Sequence, residues 1–152
     1  MRKICVYVMT HDNGFAPRLK RDTLILHGCK KYNIEKNTQN GDWIVGVGGR
    51  QLAYGKYDGM LIYAMKVEEN QNNAPQSSTF YYFGDKAIKL KGRLRKFIRK
   101  DPTKHRGCNY FHYEKYKYLF SDFEELMKNK KVGMIGDFID QSKKPKACPT
   151  SC

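Results

Sequence analysis

Apolar residues recur along this chain at two different periods, and the first period belongs to strands. Lys3 to Thr10 alternates and is rich in β-branched and aromatic residues, so it predicts a strand. His11 to Arg18 breaks it with Asp12-Asn13-Gly14 and Pro17. Thr23 to His27 predicts a second short strand, and Lys30 to Asn40 is polar enough to predict a loop. Gly41-Asp42 marks a turn before the apolar run Trp43 to Val47, a central strand ended by Gly48-Gly49. Met60 to Val67 is the next strand. Glu69 to Ser78, polar and interrupted by Pro75, predicts a flexible connection, and Phe80 to Phe83 a last strand closed by Gly84-Asp85.

The second half changes to helical spacing. Leu94, Phe97 and Ile98 fall at i, i+3 and i+4, one face of a short helix whose other face is Arg93, Arg95, Lys96, Arg99 and Lys100. Asp101-Pro102 stops it, because proline lacks a donor and restricts its predecessor. Ser121 to Lys130 predicts a second helix, capped by Ser121 with Glu124 at the reciprocal position. Phe123, Leu126 and Met127 share its apolar face, and Lys128, Lys130 and Lys131 suit its negative end. Strands before helices, without a repeat, predict an α+β fold: a small curved or barrel-like, mostly antiparallel sheet with two or three helices in the C-terminal half. The expected organisation is a single domain over residues 1–140 and a flexible tail over 141–152.

Charge sharpens this picture. The 152 residues carry a formal net charge of +14. Lys86 to Arg106 holds ten Lys or Arg against Asp101, a local charge of +9 that leaves +5 for the rest. Such a block attracts polyanions, nucleic acid before anionic lipid; its bland reading is a solvated basic face. No run approaches the ~20 apolar residues that span a bilayer. The opening Met1-Arg2-Lys3 leads into the first strand and not into a signal peptide. Five scattered cysteines, an odd number, suit free thiols in a cytoplasmic protein.

Candidate chemistry is sparse. Tyr110, Phe111, Tyr113, Tyr116, Tyr118 and Phe120, interleaved with Lys115 and Lys117, combine rings that stack on bases with cations that hold phosphate. At least half of these rings are expected in the core. Gly46-Val47-Gly48-Gly49 lacks the lysine and hydroxyl ending of a phosphate loop and reads better as the end of a hairpin. His27-x-Cys29, His105-x2-Cys108, Cys108-x3-His112 and Cys148-x3-Cys152 form no matched zinc pattern, so neither a metal nor a cofactor is implied. His11 and Asp12, at a strand end, are the only acid–base candidates, with a simple turn as the alternative. Trp43 is a core anchor or one wall of a base pocket.

Three segments in order resemble the nucleotide modification associated domain 2 family. They are Asp12-Asn13-Gly14-Phe15-Ala16-Pro17, Gly41-Asp42-Trp43-Ile44-Val45-Gly46 leading to Tyr63-Ala64-Met65-Lys66-Val67, and Phe80-Tyr81-Tyr82-Phe83-Gly84. Arg106-Gly107 and the region from Phe120 to Gly133 also fall in place, so the resemblance spans roughly residues 3 to 137. It implies a link to the modification of DNA or nucleotides in bacterial or phage systems. A weaker fold-level similarity points to PUA-like and EVE-type domains, small barrels that hold a flipped, modified base.

Together these readings predict a nucleic-acid or nucleotide binder with a base pocket made by Asp12, Asn13, Phe15, Trp43, Tyr63 and Tyr82. Arg93, Arg95, Lys96, Arg99, Lys100, Lys104 and Arg106 would hold phosphates beside it. The alternatives are an enzyme on nucleotides or on bases in DNA, with His11 and Asp12 handling protons, and a module that docks protein partners of a modification or defence system.

Overall fold

Side chains alternate between the two faces of a strand, so a strand buried along its whole length must be covered on both sides. Trp43–Gly48 is buried at every position, and the architecture follows from that. The computed structural model describes residues 2–14, 16–27, 34–98 and 109–140. Among them, in chain order, are strands β1 (Lys3–Met9), β2 (Arg18–Lys20) and β3 (Thr23–Ile25), then the short helix α1 (Ile34–Asn37) and β4 (Trp43–Gly48). Next come β5 (Met60–Lys66), β6 (Glu69–Gln71), β7 (Ala74–Ser77), β8 (Phe80–Tyr82) and β9 (Ile88–Lys89). Strand β10 (Asn109–His112), helix α2 (Lys117–Met127) and β11 (Gly133–Met134) complete the set.

The larger sheet runs in the order β10-β1-β4-β5-β8-β11, with β9 added to β5. β1 and β4 are parallel, as are β8 and β11; the other pairs are antiparallel. Tyr7, Met9, Ile44, Tyr63, Met65 and Tyr82 share one face, covered by Leu24 and Leu26 of the smaller sheet region and Ile34 of α1. That second, four-stranded sheet has the order β2-β3-β7-β6. On the other face Ile4, Val6, Trp43, Val45 and Leu61 meet Leu119, Phe120, Phe123 and Met127 of α2, with Leu94 and Phe97. Each face thus has its own apolar core.

A mostly-sheet fold with few helices and largely antiparallel pairing agrees with expectation; the parallel pairs β1–β4 and β8–β11, and the placing of α1 in the N-terminal half, do not. Barrel closure does not occur: β10 and β11 stand at opposite ends of the larger sheet, and the second sheet and α2 each cover one side of it. The helices also differ. The expected helix around Leu94 is a 3₁₀ segment, Gly92–Phe97, in which Leu94 and Phe97 are both buried. With three residues per turn, positions i and i+3 eclipse, so this pair shares one side of the segment. Ile98 then leaves in extended backbone. Helix α2 starts at Lys117, ahead of the expected cap. Tyr116 sits at its N-cap without a side-chain bond, and Ser121 is exposed within the helix.

Two segments that composition marks as irregular are ordered by local chemistry. Glu69 to Ser78 is a hairpin of β6 and β7. Asn72 and Asn73 make its turn at φ 54° and 58°, the left-handed pair that lets a two-residue turn match strand twist. Within the stretch expected as loop, α1 is held at its end by Asn70, whose Nδ2 donates to the carbonyls of Glu35 and Thr38, both at 2.8 Å. Asp42, 1% exposed, pins the start of β4 to β1. It accepts from the Lys3 backbone N–H (3.0 Å), Lys3 Nζ (2.8 Å) and the Gln39 N–H (2.9 Å).

Candidate functional site

Asp12 lies three residues beyond β1, where the chain leaves the sheet, and it is 1% exposed. A carboxylate buried so deeply needs donors. Tyr82 of β8 donates its hydroxyl to Oδ1, and the Ile139 N–H donates to Oδ2 at 2.7 Å. The backbones of the same two segments are tied reciprocally. The Asp12 N–H donates to Asp140 Oδ2 and the Asp140 N–H to the Asp12 carbonyl, both at 2.9 Å. Residues 137–140 therefore strap the end of β1. Phe138 sets its ring edge-on to Tyr82, centroids 4.9 Å apart. A side chain at Gly14, which has φ 79°, would press on Phe138.

Burial raises the Asp12 carboxyl from 3.8 to about 6. The Tyr82 and Ile139 bonds pull it back, and the charges of Asp140 and Asp85 add to the rise. Burial likewise lifts the Tyr82 phenol well above its ordinary value, and the Asp12 charge adds to that. Behind Tyr82 the ring of Tyr63 stacks at 5.3 Å and 12°, and the Tyr63 and Tyr7 hydroxyls share a hydrogen bond at 2.7 Å. Three tyrosines and one aspartate thus run across one face of the larger sheet.

Of the six pocket candidates, the fold brings Asp12, Tyr63 and Tyr82 together, and both tyrosines are 0% exposed. Asn13 follows, half-buried. Trp43 stands on the opposite face, edge-on to Phe123 at 4.9 Å and stacked on Tyr81 at 6.4 Å. Phe15 lies outside the described residues. His11 is exposed beside Asp12. Among the described residues no three His, Cys, Asp or Glu side chains gather as metal ligands.

The described phosphate candidates, Arg93, Arg95 and Lys96, lie on the α2 side of the sheet. Arg93 is already engaged: its guanidinium grips Asp122 with two bonds, 2.8 Å and 2.7 Å. Arg95 and Lys96 are exposed, and neither has an ion pair among the described residues. Arg99, Lys100, Lys104 and Arg106 lie outside the described residues. The rings of this region are mostly half-buried; only Phe111 and Phe120 belong fully to the core. Lys96 and Lys115 both place their ammonium groups 5.7 Å from the centroid of Tyr116. Tyr118 lies 6.2 Å from Tyr116 and under Arg93. Arg2 and Lys117 flank Tyr113 at 4.4 Å and 5.7 Å. Sequence reading finds these cations and rings but misses the strap. Its only trace is the run Asp137-Phe138-Ile139-Asp140, two bulky apolar residues bracketed by acids, which does not name its partner.

Among the described residues no helix is long and apolar enough to cross a membrane. No curated protein and no solved structure matches the chain. A family model does match, over residues 1–74. That range contains Asp12 to Pro17 and Gly41 to Val67, two of the three segments that carry the resemblance, and ends before Phe80 to Gly84. Residues 1–74 match the model of the nucleotide modification associated domain 2 family, whose name implies an association with nucleotide modification.

Proposed function

We propose that this protein binds nucleic acid or nucleotides within a nucleotide-modification system, gripping phosphate on the basic, ring-bearing face beside α2. The observation that carries the reading is the convergence of Lys96 and Lys115 on one ring, Tyr116. Neither ammonium has a carboxylate partner among the described residues. Each ammonium brings positive charge to this ring with no carboxylate to offset it, and both attract an anion to the same patch. Phosphate bears that charge, and the neighbouring rings of Tyr113 and Tyr118 are half-exposed, as contact with sugar or base requires. Arg95, and the cations of Arg99, Lys100, Lys104 and Arg106, extend the same reading. A base held by Asp12, Asn13, Phe15, Tyr63 and Tyr82 would require those side chains to part; Trp43 would serve as a core anchor.

The test is the salt dependence of binding to a labelled oligonucleotide. If about five cations engage, log affinity should fall against log salt with a slope of about −3.5 for a single strand or −4.5 for a duplex. Replacing Lys96 and Lys115 by Glu should weaken binding and flatten the slope by about 1.4 to 1.8. A slope near zero in the unaltered protein would remove the reading.

A second reading, catalysis on nucleotides, rests on Asp12. A buried carboxyl raised to about 6 is suited to exchange a proton near neutrality. Both of its oxygens are taken by Tyr82 and Ile139, so a substrate would have to lift the 137–140 strap. This reading requires Asp12→Asn to abolish turnover while leaving oligonucleotide binding intact.

A further inference from the structure

The loop from β4 to β5 presents one side chain in a way the fold itself does not need. Its base is firmly held. The Gly49 N–H donates to the Met9 carbonyl at 3.0 Å and the Gly59 N–H to the Gly48 carbonyl at 2.9 Å. Leu52 is 0% exposed and Tyr57 9% exposed. Between these anchors Ala53, Tyr54 and Gly55 all take left-handed backbone, with φ 47°, 57° and 84°. Glycine adopts that conformation freely, but alanine and tyrosine do so only against steric resistance. The strained turn places Tyr54 wholly in solvent, at 103% exposure. Its ring covers no apolar surface, and among the described residues it stacks on no other ring. Strain maintained by a rigid surround, around a side chain that stabilises nothing, points to contact with something else.

The neighbourhood says what that is. Arg50 and Lys56, four residues before and two after Tyr54, are both exposed. At the end of the loop Met60 pairs with Lys89 of β9, which is exposed too. A side chain at Gly59 would meet Ile98 at 3.4 Å, so the loop lies against the end of the basic 3₁₀ segment. A bare aromatic face between cations fits a base flanked by its phosphates. The base must be unpaired, because duplex bases already cover their faces with one another.

We propose that Tyr54 is a stacking platform for an unpaired base of single-stranded nucleic acid, with Arg50 and Lys56 taking the adjoining phosphates. This rests on the nucleic-acid reading above and adds strandedness and a named contact to it. One stacked base corresponds to a change in affinity of about 5- to 150-fold. Binding is measured by fluorescence anisotropy with a labelled oligothymidylate and with a duplex of equal length, on the full chain. Tyr54→Ala and Tyr54→Gly should both weaken single-strand binding within that range while leaving the salt slope unchanged, since neither removes charge. The glycine variant also relaxes the turn, so a folding defect in the alanine variant cannot imitate the result. Tyr54→Trp should retain binding, and its added indole should be quenched by the oligonucleotide. If the unaltered protein binds the single strand and both truncations bind it equally well, the stacking proposal is overturned while the reading of the α2 face stands. If the unaltered protein binds neither oligonucleotide, both fall together. Equal losses for duplex and single strand would also overturn the proposal, because a paired base cannot stack on the ring.

Discussion

Replacing Asp12 by Asn should remove a definable part of the protein's pH dependence. The carboxyl titrates at about 6 when folded, against 3.8 as the ordinary value. Below about pH 4 it is protonated in folded and unfolded chains alike. Between the two values only the folded chain holds the proton, so proton binding favours folding there. The contribution is therefore complete at low pH and is lost as pH rises through about 6; the gap corresponds to something on the order of 3 kcal/mol. The amide of the variant cannot titrate. Urea unfolding followed through the lone tryptophan suits the assay, because Trp43 is 7% exposed and packed on Phe123. Titrating groups remote from Asp12 affect both proteins equally, so the quantity to plot is the stability of the unaltered protein minus that of D12N. This difference should fall between about pH 4 and pH 7. Tyr82→Phe removes the strongest opposing bond and should push the fall to higher pH. A flat difference would show that Asp12 is not desolvated. A difference that rises with pH would show that the Tyr82 and Ile139 bonds outweigh burial, refuting burial as the leading cause.

Three substitutions probe the frame that carries the site. A Cβ at Gly48 would overlap the Tyr57 carbonyl oxygen, which belongs to backbone and cannot swing aside. Gly48→Ala should therefore lower stability by about 2 kcal/mol or more in thermal unfolding, whereas Gly41→Ala, with open space at φ 93°, should lose only about 1 kcal/mol. Lys3→Met removes one of three donors to buried Asp42 and should lose about 1–3 kcal/mol. An unchanged urea midpoint would show that the two backbone donors suffice.

Much of the larger sheet was legible because alternation and apolar runs are local signals. Lys3–Met9, Trp43–Gly48, Met60–Lys66 and Phe80–Tyr82 all lie where those signals put them. Even the separation of Trp43 from Tyr63 was latent in parity: Gly46 pairs with Tyr63, and residues 43 and 46 of one strand point to opposite faces. The β6–β7 turn carried its own sign too, since two successive asparagines tolerate left-handed backbone. Other features depend on partners remote in sequence. The Asp12 strap joins residues 127 positions apart, and the parallel pairing of β1 with β4 leaves no trace in either strand alone. Tyr54 was invisible for a different reason. Its identity is ordinary, and only the exposure of its ring on a strained turn sets it apart.

The edge of the family match has a mechanical consequence. It stops at residue 74, the first residue of β7, and β7 is the strand that joins β3 to β6. A polypeptide severed at that point would leave β3 and β6 with no common neighbour, Tyr63 without the Tyr82 ring, and Trp43 without Phe123. A piece ending at residue 74 is therefore expected not to fold by itself, whereas one running through Asp140 keeps all of these contacts.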